Sequence, residues 1–164
     1  VIMDLKFKVQ TGIQKPVAEV FDAVYNPKKL SGYFTTGGAT APLDEGTTVE
    51  WSFDDWEGMK DMGFPVKVTK VVPNELIRLE WQGEKDRPDN MVEMTFRVLS
   101  DDHTLVTITE TGWSETQHGL DKSYGNCMGW SQMLSAMKAY VEHGINLREG
   151  AYPKEIWEDK KIDS

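Results

Sequence analysis

Glu110 closes a run in which Val106 and Ile108 precede it at two-residue intervals, so in an extended strand its carboxylate shares their inward face. A carboxylate in that position is partly desolvated. Its pKa rises, and it can hydrogen-bond a ligand or, with a tyrosine or tryptophan donor, serve as a base. The same position also suits a frayed strand end, or a bridge to a lysine or tryptophan at the edge of an apolar core. Other chemistry fails on spacing. His103, His118 and His143 form no pair at the i, i+4 or short-loop separation of a zinc site, and His143 reads as a charge complementing a helix C-terminus. Cys127 is the one cysteine, which excludes an internal disulfide. With no histidine or basic neighbour it reads as a small buried helix residue rather than a nucleophile. Asp54, Asp55, Glu57 and Asp61 lack the central glycine and closing glutamate of a calcium loop. Gly37-Gly38 is not followed by the Lys-Ser/Thr of a phosphate loop, and Ser131 and Ser135 lack the flanking glycines of a nucleophile elbow. The expectation is no metal, no cofactor and no assembled catalytic constellation.

The elements that must position Glu110 follow from periodicity. Leu5, Phe7, Val9, Thr11 and Ile13 alternate with polar residues as a first strand. Pro16 opens a helix carrying Val17, Val20, Phe21 and Val24, which Asn26-Pro27 ends. A second short helix is expected over Lys28 to Tyr33, then a loop at Gly37-Gly38 and Pro42. Four or five strands come next, with inward rows Val49-Trp51-Phe53, Phe64-Val66-Val68, Ile77-Leu79-Trp81, Val92-Met94-Phe96-Val98 and Val106-Ile108-Glu110. Short connections favour neighbouring antiparallel strands. A long last helix is expected from near Gly119 to Glu142-His143, with Gly144 as its cap. Its apolar stripe is Trp130, Met133, Leu134, Met137 and Val141, rich in methionine and tryptophan rather than leucine.

Composition narrows the partners. The 164 residues fit one domain over 1–164, with a core of about 4–145 and a tail, 146–164, packing on the body and fraying after Asp159. The net charge of -9 opposes binding to nucleic acid or an anionic membrane, and the basic residues are scattered. No apolar run approaches the length of a transmembrane helix, and the first residues alternate without a signal-peptide core. With the single cysteine, these features lead us to expect a cytoplasmic protein.

Several local motifs, in order, resemble the SRPBCC (START-like, Bet v 1-like) superfamily, most of all the branch related to the C-terminal domain of the heat-shock-protein-90 ATPase activator. They are residues 16–24 (Pro-Val-Ala-Glu-Val-Phe-Asp-Ala-Val), Asn26-Pro27 with Leu30 and Tyr33-Phe34, and Gly46 with Trp51-Ser52-Phe53. Val71-Val72-Pro73 with Leu79-Glu80-Trp81, residues 107–113 (Thr-Ile-Thr-Glu-Thr-Gly-Trp), and Gly129-Trp130 with Leu134 complete them. The resemblance implies an α+β helix-grip fold: a curved antiparallel sheet of about six strands around a long C-terminal helix, with two short helices after the first strand and an apolar cavity between sheet and helix. Relatives include binders of lipids, hormones and polyketides, some cyclases, and co-chaperones. The chain departs from the eukaryotic activator in having no room for that protein's separate N-terminal domain. Its acidic segment Asp54–Asp61 is also longer than a minimal hairpin and reads either as a solvated loop or as a lid.

On this reading the chain binds a small hydrophobic or amphipathic ligand. The expected contacts are Phe21, Phe34, Trp51, Phe53, Val66, Trp81, Met94, Phe96, Glu110, Trp130, Met133 and Met137. Pockets are typically apolar with a few polar groups, and methionines adapt to varied ligands. Gly129 is expected to let the helix approach or bend near the sheet. The alternatives are a cyclase-like or hydrolase-like enzyme using Glu110 and a co-chaperone-type interaction module. A homodimer is possible; a chaperone partner is less favoured because the second domain is missing.

Overall fold

A computed structural model of the chain describes residues 3–158. The chain begins with β1 (Phe7–Ile13), α1 (Val17–Tyr25) and α2 (Pro27–Leu30). Six strands follow: β2 (Gly38–Ala39), β3 (Thr48–Ser52), β4 (Gly63–Val72), β5 (Leu76–Trp81), β6 (Asn90–Ser100) and β7 (His103–Thr111). The chain then runs into α3 (Gln117–His143) and α4 (Glu155–Glu158). All seven strands form one antiparallel sheet in the order β1-β7-β6-β5-β4-β3-β2, so the first strand closes against the last. Irregularities at Val68/Lys70 and Val98/Ser100 bend the longest strands, as bulges do, and the sheet curls into a half-barrel around α3. This is the expected α+β helix-grip arrangement.

Three differences from the periodicity reading have local causes. Val98, expected as the last inward residue of its row, is 57% exposed, because β6 runs past the core there into the irregularity between Val98 and Ser100. The seventh strand, β2, is two residues long and pairs with Trp51 and Ser52; a Gly-Ala pair has no alternation to detect. The second helix stops at Leu30 rather than Tyr33. Asn26 Oδ1 accepts from the Lys28 amide at 3.0 Å and Pro27 starts the turn, but Ser31 and Gly32 end it, leaving the Tyr33 and Phe34 amides bonded back to the Leu30 carbonyl.

The core lies between the concave face and the helices. Val20 and Val24 of α1, Ile77 and Leu79 of β5, Val92 and Met94 of β6, Val106 and Ile108 of β7, and Met133, Leu134 and Met137 of α3 are all buried. The long helix is held at both ends. Thr116 Oγ1 accepts from the Gly119 amide at 3.0 Å, which moves the start two residues ahead of Gly119. Gly144 terminates it in the left-handed conformation (φ 69°), which a Cβ would disfavour. The link from β7 into α3 is fixed by Glu84, whose carboxylate accepts from the Ser114 amide and hydroxyl, both at 2.6 Å. Among the described residues no helix is long and apolar enough to cross a membrane, and no cluster of three or more potential metal ligands forms. The expected fraying after Asp159 lies outside the described residues.

Candidate functional site

Glu110 is fully buried on the inner face of β7, cross-strand from Val92. Neither oxygen is left bare. Oε1 accepts from Trp130 Nε1 at 2.8 Å and from Asn126 Nδ2 at 3.2 Å. Oε2 accepts from Asn90 Nδ2 at 2.9 Å, Asn126 Nδ2 at 3.1 Å and Trp81 Nε1 at 3.2 Å. The local fold explains the convergence. Trp81 and Asn90 are cross-strand partners on β5 and β6, while Asn126 and Trp130 are four residues apart and so share one face of α3. Asn90 fits because of two glycines: a Cβ on Gly83 or Gly112 would come within 2.4 or 2.6 Å of its amide. Burial pushes the Glu110 carboxyl above its ordinary value, and the N–H contacts from Asn90, Trp130, Trp81 and Asn126 pull it back.

Over this group opens a cavity of about 410 Å³. Trp81 and Trp130 line it, their ring centroids 5.3 Å apart, with Phe34, Phe53, Phe64, Trp56 and Trp113 completing the aromatic wall. The α3 side is Lys122, Gly125, Asn126, Met128, Gly129 and Trp130. Gly125 and Gly129 are one turn apart, and a Cβ built on either meets nothing within 4 Å. Gly129 is therefore not required for close approach to the sheet, as the sequence suggested; its missing side chain leaves volume open to the cavity.

The rim is made by two segments remote in sequence. Arg148, after α3, forms a two-pronged ion pair with Asp55 (Nε–Oδ2 2.7 Å, Nη2–Oδ1 3.1 Å). Its guanidinium lies 5.2 Å from the Phe53 centroid, 5.6 Å from Phe34 and 4.4 Å from Tyr152. Tyr152 donates to Gln132 of α3, and Trp157 stacks on Trp56 at 5.8 Å. The acidic segment that read as a loop or a lid thus supplies Asp55 and Trp56 to the cavity mouth.

The twelve residues expected to meet a ligand separate into groups. Phe34, Phe53, Trp81 and Trp130 line the cavity, and Glu110 lies behind three of its lining residues. Met133 is buried and faces a smaller cleft of about 250 Å³ between α3 and the segment carrying Arg148. Phe21, Trp51, Val66, Met94, Phe96 and Met137 are in the packed core and do not line the cavity. Trp51 is a backing layer, edge-on to Trp81 at 6.0 Å and to Phe34 at 5.6 Å. Phe21 and Phe96 pack edge to face on each other at 5.2 Å, under α1. An inward-facing position is necessary for ligand contact but not sufficient, because most of the wedge is filled. Cys127 is only partly buried, and His143 sits in the last turn of α3 as expected.

Sequence reasoning did not single out Asn90, Asn126, Gly125, Trp56, Arg148 or Tyr152. Two of these left a signal. Asn90 continues the inward row of Val92, Met94 and Phe96 as its one polar member, and Asn126 precedes Trp130 by one helical turn. Arg148 and Tyr152 lie in a segment without periodicity, where nothing local indicates a distant partner.

The comparisons with known proteins agree with this architecture. The family model described as "Activator of Hsp90 ATPase homolog 1-like protein" matches residues 14–142. Among solved structures, protein SSP2350 from Staphylococcus saprophyticus superposes with a TM-score of 0.71 at 24% identity, over 88% of this chain and 96% of that one. The Aha1 dimer from Colwellia psychrerythraea gives 0.70 at 19% identity, over 85% and 98%. DynU16, of the dynemicin biosynthetic locus, gives 0.71 at 22% identity over 87% of this chain, which spans about half (49%) of DynU16. No match was found among curated proteins. These structural likenesses establish the fold; the family match, covering most of the chain from before α1 to the last turn of α3, establishes that the chain belongs to the activator of Hsp90 ATPase homolog 1-like family of the START-like superfamily.

Proposed function

We propose that this protein binds one small hydrophobic or amphipathic molecule in the cavity between the sheet and the N-terminal half of α3. The observation that carries the reading is the cavity itself: about 410 Å³, walled by aromatic rings and left open by Gly125 and Gly129. Ligand sites are commonly concave, mostly apolar and oriented by a few polar groups. Gln82, Asn126 and Lys122 supply such groups here. The placement of DynU16 in the dynemicin biosynthetic locus is in keeping with this reading.

Binding without chemistry accounts for Glu110 better than a base does. A base must reach a substrate proton. Glu110 is fully covered, and both oxygens already accept hydrogen bonds from side chains of the wall and core. Homodimerisation comes to this chain only from the Colwellia relative, and light scattering tests it separately.

The test is thermal shift and native mass spectrometry against lipid, flavonoid and polyketide panels. The expected result is stabilisation by at least one class at one-to-one stoichiometry, lost when Gly129→Leu fills the cavity. No stabilisation by any class would remove the reading.

A further inference from the structure

We infer that the ligand class of this cavity is a hydrophobic ammonium ion, taken up against the ring of Trp81 beside the buried Glu110 carboxylate. The inference rests on the binding reading just given and adds to it the charge of the ligand.

The first argument is the charge balance around Glu110. Its partners are two indole N–H groups and two carboxamides, all neutral; no lysine, arginine or histidine is among them. Every contact donates to the carboxylate, the pattern that suits the anion, and Asn90 turns its Nδ2 to Glu110 although its Oδ1 is then buried without a partner. The structure thus places an anion stabilised only by dipoles directly behind the cavity wall. Low polarity around it strengthens its field and disfavours any anionic group brought close.

The second argument is the orientation of the indoles. Trp81 and Trp130 both border the cavity, yet both N–H groups are committed to Glu110. Trp130 is buried, so what remains for a ligand is the ring surface of the half-buried Trp81. Donation to an anion polarises each indole toward its ring, and the indole face is the strongest aromatic site for a cation. Trp130 is covered by Phe34, stacked on it at 5.5 Å, and by Trp81 at 5.3 Å, so the half-buried Trp81 is the indole whose ring stays open to a ligand.

The third argument comes from the protein's own side chains. The neighbouring rings of the same cavity, Phe34 and Phe53, already carry a cation, the Arg148 guanidinium, which also touches Tyr152. Asp55 neutralises it, so it does not neutralise Glu110. Lys122, with Asp121 beside it, also lines the α3 side of the cavity, and neither cation is among the hydrogen-bond partners of Glu110. The net charge of -9 further favours approach of a cation.

The experiment compares three probes of one shape by equilibrium dialysis against the full chain: naphthylmethyl-trimethylammonium, its neutral isostere neopentylnaphthalene, and naphthylacetate. The ammonium probe is expected to bind at least ten-fold more tightly than the isostere, with naphthylacetate weakest. Glu110→Gln should bring the ammonium-to-isostere ratio toward one, and Trp81→Phe, which keeps a ring but loses the polarised N–H, should lower it in part. The wild-type ratio decides the matter even if Glu110→Gln fails to fold. Equal binding of the ammonium and neutral probes, or tightest binding of naphthylacetate, overturns the charge inference and leaves the cavity reading standing. Retention of none of the three overturns the charge inference, and silence of the whole apolar panel as well overturns both.

Discussion

The two halves of α3 face the same sheet and do opposite things with the space. In the C-terminal half, Met133, Leu134, Ala136 and Met137 are buried and the wedge is closed. In the N-terminal half, Gly125 and Gly129 point no side chain at the wall, Met128 is 51% exposed, and the volume that a packed helix would fill stays open beside Trp81 and Trp113. Helix and sheet geometry alone therefore do not make the cavity. It exists because the stripe changes from large flexible residues to glycines just where the opposing side chains become broad, rigid rings. The same change moves the means of stabilisation from apolar packing to a hydrogen-bonded polar group, Glu110 with its four partners.

The largest expected effect tests whether the halves differ energetically. Met137→Ala, at a fully buried position, should cost about 2–5 kcal/mol. Met128→Ala, on the cavity rim, should stay within about 0.5 kcal/mol. Urea denaturation of the two variants checks this, and equal losses would mean that the open half is as well packed as the closed one.

Filling the open half is the converse experiment. Gly129→Leu places a side chain where a Cβ has no neighbour within 4 Å. Replacing glycine in a helix interior removes a cost of roughly 0.5–1 kcal/mol, so stability should rise slightly while probe binding falls at least ten-fold. A variant that is stabilised yet binds as before would show that the ligand sits elsewhere.

A smaller effect is expected at the rim. The Arg148–Asp55 pair joins the segment after α3 to the loop after β3, and Arg148 is largely covered. Arg148→Met should speed ligand release several-fold in stopped-flow measurements, with a stability loss of about 1 kcal/mol for a partly buried, two-pronged pair. Unchanged release would show that the strap is only structural.

The fold and the closed half were largely legible because both rest on periodicity. The inward rows of β3 to β7 and the stripe from Trp130 to Met137 recur at strand and helix spacing, so Val92, Ile108, Leu134 and their neighbours were placed correctly by counting. Glu110 was legible for the same reason. The open half was not, since the pattern that places Trp51 inward places Trp81 inward too, yet one is sealed in the core and the other lines the cavity. That distinction depends on what stands opposite, here two glycines on a distant helix. Arg148 was illegible on stronger grounds, for its partner Asp55 is 93 residues away and neither lies in a periodic element.

The smallest and most discriminating effect is in pH dependence, where two buried glutamates should behave with opposite sign. Hydrogen bonds from the Ser114 hydroxyl and then its amide hold Glu84 below the ordinary value of 4.5, assisted by Arg87. Its contribution to stability is present above the unfolded-state pKa and is lost as pH falls through the lowered folded-state value. Glu110 is raised above 4.5 by burial. Ionising it costs the folded state, a cost fully present above the raised pKa and relieved as pH falls toward the unfolded value. Glu84→Gln should therefore flatten the acid-side fall in Tm, whereas Glu110→Gln should steepen it by removing the one contribution that improves on acidification. Thermal melts of the two variants against wild type, in steps across roughly pH 3 to 7, read both slopes in one series. Parallel slopes in the two variants would mean that the donors around Glu110 outweigh its burial. The open half would then owe its polar floor to the same kind of stabilised carboxylate that anchors the start of α3.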